Sequence, residues 1–191
     1  MKPLIMLKLG LLILIVNLFF SISAIGESKY EEKTKGIFQG ELRKFIFSED
    51  KKKLPKVLVL DADESVVEFG HEADILVINF WATWCAPCKK EMPSLNNLAE
   101  TMEYDNVRII TVASGRNSKE AIDAFFTENN LANLNKFRDP RGKMAMSYGV
   151  TALPTTVVID PTGREIGRII GDIDWNTAAI RTFFRKLVTT N

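Results

Sequence analysis

The chain has 191 residues, enough for one ordinary domain with an appendage. Apolar residues at 46% and charged residues at 26% mark a globular chain and exclude wholesale disorder, and 25 basic against 24 acidic residues exclude a nucleic-acid binder working by bulk charge. With Cys85 and Cys88 as the only cysteines and His71 as the only histidine, a disulfide-rich scaffold and a Cys₄ zinc site are excluded. Lys89 follows Cys88, so a C-x-x-C-H haem attachment is excluded too, and no cofactor is implied.

Residues 1–25 read as an address. Lys2 and Lys8 precede an apolar run from Leu9 to Phe20, broken only by Asn17, and Ser21, Ser23, Ala24 and Gly26 offer small residues for cleavage. The stretch 9–25 also reaches the lower length limit of a membrane span, so a cleaved signal peptide and an uncleaved anchor both stay open. Either one puts the remaining chain outside the cytosol, which in a bacterium is the periplasm. Residues 26–53 read as a spacer. Glu27 to Lys35 is polar and expected to be flexible, while Phe38, Leu42, Phe45 and Ile46 follow the spacing of a short amphipathic helix. Ser48 to Lys53 is a charged linker, with Lys51 to Lys53 a solvated run.

Residues 54–191 alternate between strand and helix patterns. Val57–Leu60 and Ser65–Glu68 form an expected hairpin about Ala62-Asp63, and His71 falls in a following loop. Ile75–Trp81 is almost wholly apolar, as a strand buried on both faces requires. A helix is expected from about Cys85, with Met92, Leu95, Leu98 and Met102 on one side and a kink at Pro93. Val107–Ala113 is a second buried strand, and Ser118 is placed to cap a helix reaching about Glu128. A short extended piece around Phe137 and a helix over Arg141–Tyr148 follow, with Met144 and Met146 expected in the core or at its rim. Thr155–Ile159 and Glu165–Ile170 are strands about a Pro161-Thr162-Gly163 turn, and Asp174 is expected to cap a last helix that turns Ile180, Phe183, Phe184 and Leu187 inward. This order implies an α/β sandwich with a mixed central sheet.

The chemistry lies in Trp84-Cys85-Ala86-Pro87-Cys88, between a buried strand and a helix. Unpaired N–H groups and the dipole at a helix start favour a negative charge, and the thiolate is the nucleophile of disulfide exchange. Cys85 is therefore expected to be the exposed attacking sulfur, and Cys88, one turn deeper, the resolving one. Pro87 stiffens the first turn at no hydrogen-bonding cost. The bland alternative is a structural disulfide, which would close too small a loop to stabilise much. A Cu(I) carrier using the two sulfurs is a further alternative.

The segment Phe80 to Pro93 (FWATWCAPCKKEMP) resembles the active-site segment of thioredoxin-like proteins, in its longer form that of the TlpA/ResA/CcmG group of exported thiol-disulfide oxidoreductases. Tyr148 to Thr156 (YGVTALPTT) is similar to that group's second landmark, and Gly171-Asp172-Ile173-Asp174-Trp175 looks closest to TlpA. The likeness spans Leu54 to Val188, and the stretch between about 115 and 139 resembles the group's inserted helix plus strand. The resemblance implies a thioredoxin-like fold, a cis Pro154 facing the disulfide, and Leu153 offering backbone to a client peptide. It also implies that Trp84, Ala86 and Pro87 meet the client. Glu91, three residues past Cys88 on the same helix side, would be the active-site carboxylate, with Asn79 standing where thioredoxin has a buried acid. A surface position for Glu91, beside Lys89 and Lys90, is the bland alternative.

The expected activity is that of a thiol-disulfide oxidoreductase working as a reductase. The resemblance implies apocytochrome c or a copper-site protein as client, and a membrane thiol carrier of the DsbD/CcdA type as electron donor. A general disulfide oxidase is the rival enzyme reading. A peroxiredoxin is disfavoured, because its peroxidatic cysteine lacks an adjacent C-x-x-C partner.

Overall fold

The computed structural model describes residues 29–49, 53–69 and 75–189. The expected signal peptide or anchor, Lys51, Lys52 and His71 lie outside the described residues. Among the described residues no helix is long and apolar enough to cross a membrane.

The sheet is built around β4 (Ile75–Trp81), whose seven residues are all buried. Its side chains alternate between two cores: Ile75, Val77 and Trp81 point into the larger, and Leu76, Ile78 and Phe80 into the smaller. Each such fully buried side chain contributes about 1.5–3 kcal/mol, which explains the nearly continuous apolar run. β4 pairs in parallel with β5 (Val107–Ser114) and antiparallel with β7 (Thr155–Ile159). β5 pairs in parallel with β6 (Asn135–Asp139), and β7 pairs antiparallel with β8 (Glu165–Ile170). β2 (Val57–Leu60) and β3 (Val66–Phe69) form the expected hairpin and extend the sheet beyond β6. With β1 (Phe45–Phe47) on the far edge, the order is β1-β8-β7-β4-β5-β6-β2-β3. The mixed α/β sandwich is as the sequence pattern implies.

The larger core takes α2 (Ala86–Thr101), α3 (Lys119–Glu128) and α5 (Ala178–Val188), through Met92, Leu95, Ile122, Phe126, Ile180 and Phe183. The smaller core is closed by the short α4 (Lys143–Ser147) and Tyr148. α2 continues through Pro93 to Thr101. The Ser118 hydroxyl accepts from the Ala121 N–H and caps α3 as expected. Met144 is buried and Met146 exposed.

Three expectations need correction. The polar stretch Glu27–Lys35 holds a helix, α1 (Lys29–Thr34), because Tyr30 and Thr34 are buried and α1 packs against α5. The spacing at Phe38, Leu42, Phe45 and Ile46 does not make one helix. Gly40–Lys44 is a 3₁₀ turn and Phe45–Phe47 a strand, because β8 offers an open edge and the run fits a period of two. Phe45 faces in and Ile46 out; Phe38 and Phe45 pack on Phe183 at ring separations of 6.0 and 4.8 Å, and Phe47 packs on Phe38 and Phe45 at 5.4 and 5.0 Å. Finally, Thr177 rather than Asp174 caps α5, its hydroxyl accepting from the Ile180 N–H, while Asp174 turns the chain by accepting from the Asn176 N–H.

Candidate active site

Cys85 ends the turn leaving β4 and is the N-cap of α2, with an extended backbone. Its sulfur accepts from the Cys88 N–H at 3.3 Å and is bonded to the Cys88 sulfur, with the two Cα atoms 5.3 Å apart. The structure is therefore the disulfide form. On reduction, the same N–H and the helix dipole face whichever charge Cys85 carries. Pro87 sits in the first turn of α2, where its missing donor costs nothing. Cys85 is 5% exposed and Cys88 fully buried, so the expected order of exposure holds while Cys85 itself is nearly covered.

Above the disulfide lies a groove of about 600 Å³. Trp84, Cys85, Ala86 and Pro87 form one side, Ser114 and Gly115 another, and Ala145 with Val150 to Leu153 a third. Trp84 is 66% exposed, an unusual position for so large an apolar ring. The Leu153–Pro154 peptide is cis, and Pro154 is buried behind Leu153 rather than lining the groove.

Beneath the disulfide, Glu91 is 2% exposed on the buried side of α2, one turn beyond Cys88. Three donors converge on its carboxylate: Asn79 Nδ2 on Oε1 at 2.8 Å, and Trp175 Nε1 at 2.9 Å and the Ile173 N–H at 3.2 Å on Oε2. Burial pushes Glu91 up to about 7, against the downward pull of these hydrogen bonds. The period of two in β4 puts Asn79 on the same face as Val77 and Trp81, the face on which α2 packs. Asn79 Nδ2 also donates to Thr156 Oγ1 at 2.9 Å on β7, while its Oδ1 is buried without a partner.

The structure thus gathers Trp84, Cys85, Ala86, Pro87 and Leu153 around one groove and sets Cys88 and Glu91 beneath it. Sequence reasoning did not reach Ser114, Gly115, Ala145, Thr156 or the indole hydrogen bond of Trp175. Trp175 lies 84 residues from Glu91, a pairing that no local spacing signals.

The AhpC/TSA family profile matches residues 51–164. The thiol-disulfide oxidoreductase ResA of Bacillus thuringiensis subsp. konkukian is 32% identical over 140 residues, covering 71% of this chain and 78% of the relative. The chain belongs to this family. Members carry the ResA name at up to 91% coverage of their own length, as in Bacillus anthracis, 30% identical over 171 residues. Among solved structures, a thiol:disulfide interchange protein DsbE from Chlorobium tepidum has a TM-score of 0.64 at 22% identity, covering 73% of this chain and 98% of that one. That likeness bears on the fold, which is thioredoxin-like as the two landmarks implied. The protein is a thiol-disulfide oxidoreductase, and Cys85 and Cys88 form a disulfide at the groove.

Proposed function

We propose that the protein acts outside the cytosol, in the periplasm of a bacterial cell, as a reductase of particular client disulfides. The observation that carries disulfide exchange at this site is the carboxyl of Glu91, buried one turn from Cys88 and poised near 7, and the resemblance to the exported TlpA/ResA/CcmG group supports the direction and the location. Reduction of a client ends with Cys88 losing a proton, and a buried thiol resists that loss because desolvation disfavours the thiolate. A base with a matched pKa at this depth serves that step.

In the first step the Cys85 thiolate attacks a client disulfide. One client sulfur becomes bonded to Cys85 and the other leaves as a thiolate, which takes a proton from water. In the second, the Cys88 thiol gives its proton to Glu91 and its sulfur attacks Cys85. The Cys85–Cys88 disulfide forms, the second client thiolate leaves, and two electrons have passed to the client. A membrane thiol carrier of the DsbD/CcdA type restores the dithiol. Trp84, Ala86, Pro87 and Leu153 seat the client as an extended segment in the groove, with Pro154 holding Leu153 in place. The resemblance to the TlpA/ResA/CcmG group supports apocytochrome c or a copper-site protein as client, and residues 9–25 as the tether or export signal.

The experiment is to express Cys88→Ala in the native cell and trap thiols with acid. The mixed disulfide on Cys85 persists, its partner is identified by mass spectrometry, and wild-type protein is found as the dithiol. A wild-type protein held as the disulfide, with its electron supply intact, would overturn the reductase reading in favour of an oxidase.

A further inference from the structure

Asn117 sits in the turn between β5 and α3. Its Oδ1 accepts from the Thr83 backbone N–H at 2.8 Å and from Thr83 Oγ1 at 2.9 Å. Its Nδ2 donates to the carbonyl of Ser114 at 2.9 Å and to that of Gly115 at 3.4 Å. The partners fix the amide's orientation, since turning it over would set its NH₂ against the Thr83 N–H and its oxygen against two carbonyls. Thr83 leads directly into Trp84 and Cys85, one side of the groove, and Ser114 and Gly115 form another. One side chain therefore ties these two sides together while lining neither.

The tie is itself anchored. The Asn117 carbonyl accepts from Arg138 Nη1 at 3.2 Å on β6, and Arg138 Nη2 bonds Glu64 at 2.8 Å in the β2–β3 turn. The base of the turn leaving β4 is held by the sheet, where Trp81 pairs with Ala113, and Asn117 ties the part beyond it. Cys85 N–H bonds back to the Ala82 carbonyl, within the turn.

We propose that Asn117 is a positioning residue that fixes the width of the groove and so favours an extended peptide over a small disulfide as substrate. This rests on the reading of the groove as the client's seat. Without Asn117, water takes over the hydrogen bonds of this half-buried turn, and Thr83 loses its tie to Ser114 and Gly115 beyond the last β4–β5 pair, Trp81 with Ala113. A peptide touching both sides must then order them on binding, whereas a small disulfide meets only the Cys85 sulfur.

The test uses the reduced full chain in single-turnover stopped flow. The substrates are a short peptide closed by a Cys-x-x-Cys disulfide and 2-hydroxyethyl disulfide. For Asn117→Ala, the half-saturating peptide concentration rises about tenfold, the loss of about one to two net hydrogen bonds. The limiting rate changes by less than about threefold, and the small-disulfide rate by less than about twofold. Asn117→Asp keeps an acceptor for Thr83 but turns a carboxylate oxygen on two carbonyls, so it raises the same concentration. Thr83→Val removes one of the four bonds, gives a smaller rise, and serves if Asn117→Ala does not fold. An unchanged half-saturation in the variants, or equal slowing of both substrates, overturns the inference and leaves the groove reading intact. A wild-type protein that reduces the small disulfide as efficiently as the peptide overturns the groove reading, and the inference with it.

Discussion

Replacing Glu91 with Gln separates what the carboxyl does for chemistry from what it costs the fold. Moving a carboxyl from 4.5 to about 7 corresponds to about 3 kcal/mol between its two protonation states. The folded-state pKa is the higher one, so the unfolded chain releases this proton first. Stability therefore falls as pH rises from about 4.5 to about 7 and is level beyond that window as far as this group is concerned. Glu91→Gln removes the slope. Its amide can still be satisfied: the carbonyl takes the Trp175 and Ile173 donors, and the NH₂ bonds the otherwise unpartnered Asn79 Oδ1 once that side chain turns over. Urea unfolding at pH 5 and pH 8 measures the difference. The variant gains on the wild type by about 2.5 kcal/mol between those two values, because at pH 5 the unfolded chain has already released much of this proton. In stopped flow, resolution of the mixed disulfide in wild type rises through a midpoint near 7, as Glu91 becomes able to accept the proton. In Glu91→Gln that rise is absent and resolution slows by about 10²-fold, while attack by Cys85 changes far less. Parallel stability slopes together with unchanged rates and pH profiles would refute the reasoning and make Glu91 a bystander.

Trp175→Phe deletes one donor to the carboxylate. Losing a hydrogen bond to a charged group, about 1.5 kcal/mol, moves the midpoint of resolution about one pH unit upward, and an unmoved midpoint would remove the indole from the site. Phe183→Ala empties the centre of the ring cluster with Phe38, Phe45 and Phe184, and denaturant unfolding registers a loss of about 3–5 kcal/mol; a loss below 1 kcal/mol would mean the cluster is not part of the cooperative core. After reduction, alkylation of single-cysteine variants at neutral pH is faster at Cys85 than at Cys88, and the reverse order would exchange the two roles.

What could be read from the sequence follows the range of each interaction. β4, β7 and β8 were legible to the residue, because an apolar run bounded by turns carries its own signal. The Trp84 to Cys88 segment was legible because its chemistry depends on neighbours within one helical turn. Glu91 was legible as a position but not as a buried group: its depth comes from Ile173 and Trp175, brought over from the far end of the chain. Phe45 to Phe47 misled because an isolated three-residue strand exists only where another strand leaves an edge free, and β8 is remote in sequence. Likewise α1 is a polar segment whose order derives from the packing of Tyr30 and Thr34 against α5.

The helix-and-strand segment between β5 and α4 leaves and re-enters the fold at nearly one place. Ser114 pairs with Asp139 in the sheet, and the Gly115 N–H bonds the Asp139 carbonyl at 2.9 Å. Asp139 also holds the start of α4 through the Lys143 and Ala145 N–H groups, and Ala145 lines the groove. With both junctions clamped, the outer surface of the stretch from Ser118 to Leu134 can be rewritten without the scaffold losing its register, provided its inward side chains Ile122, Phe126, Leu131 and Leu134 are kept along with Asn117 at one hinge and Arg138-Asp139 at the other.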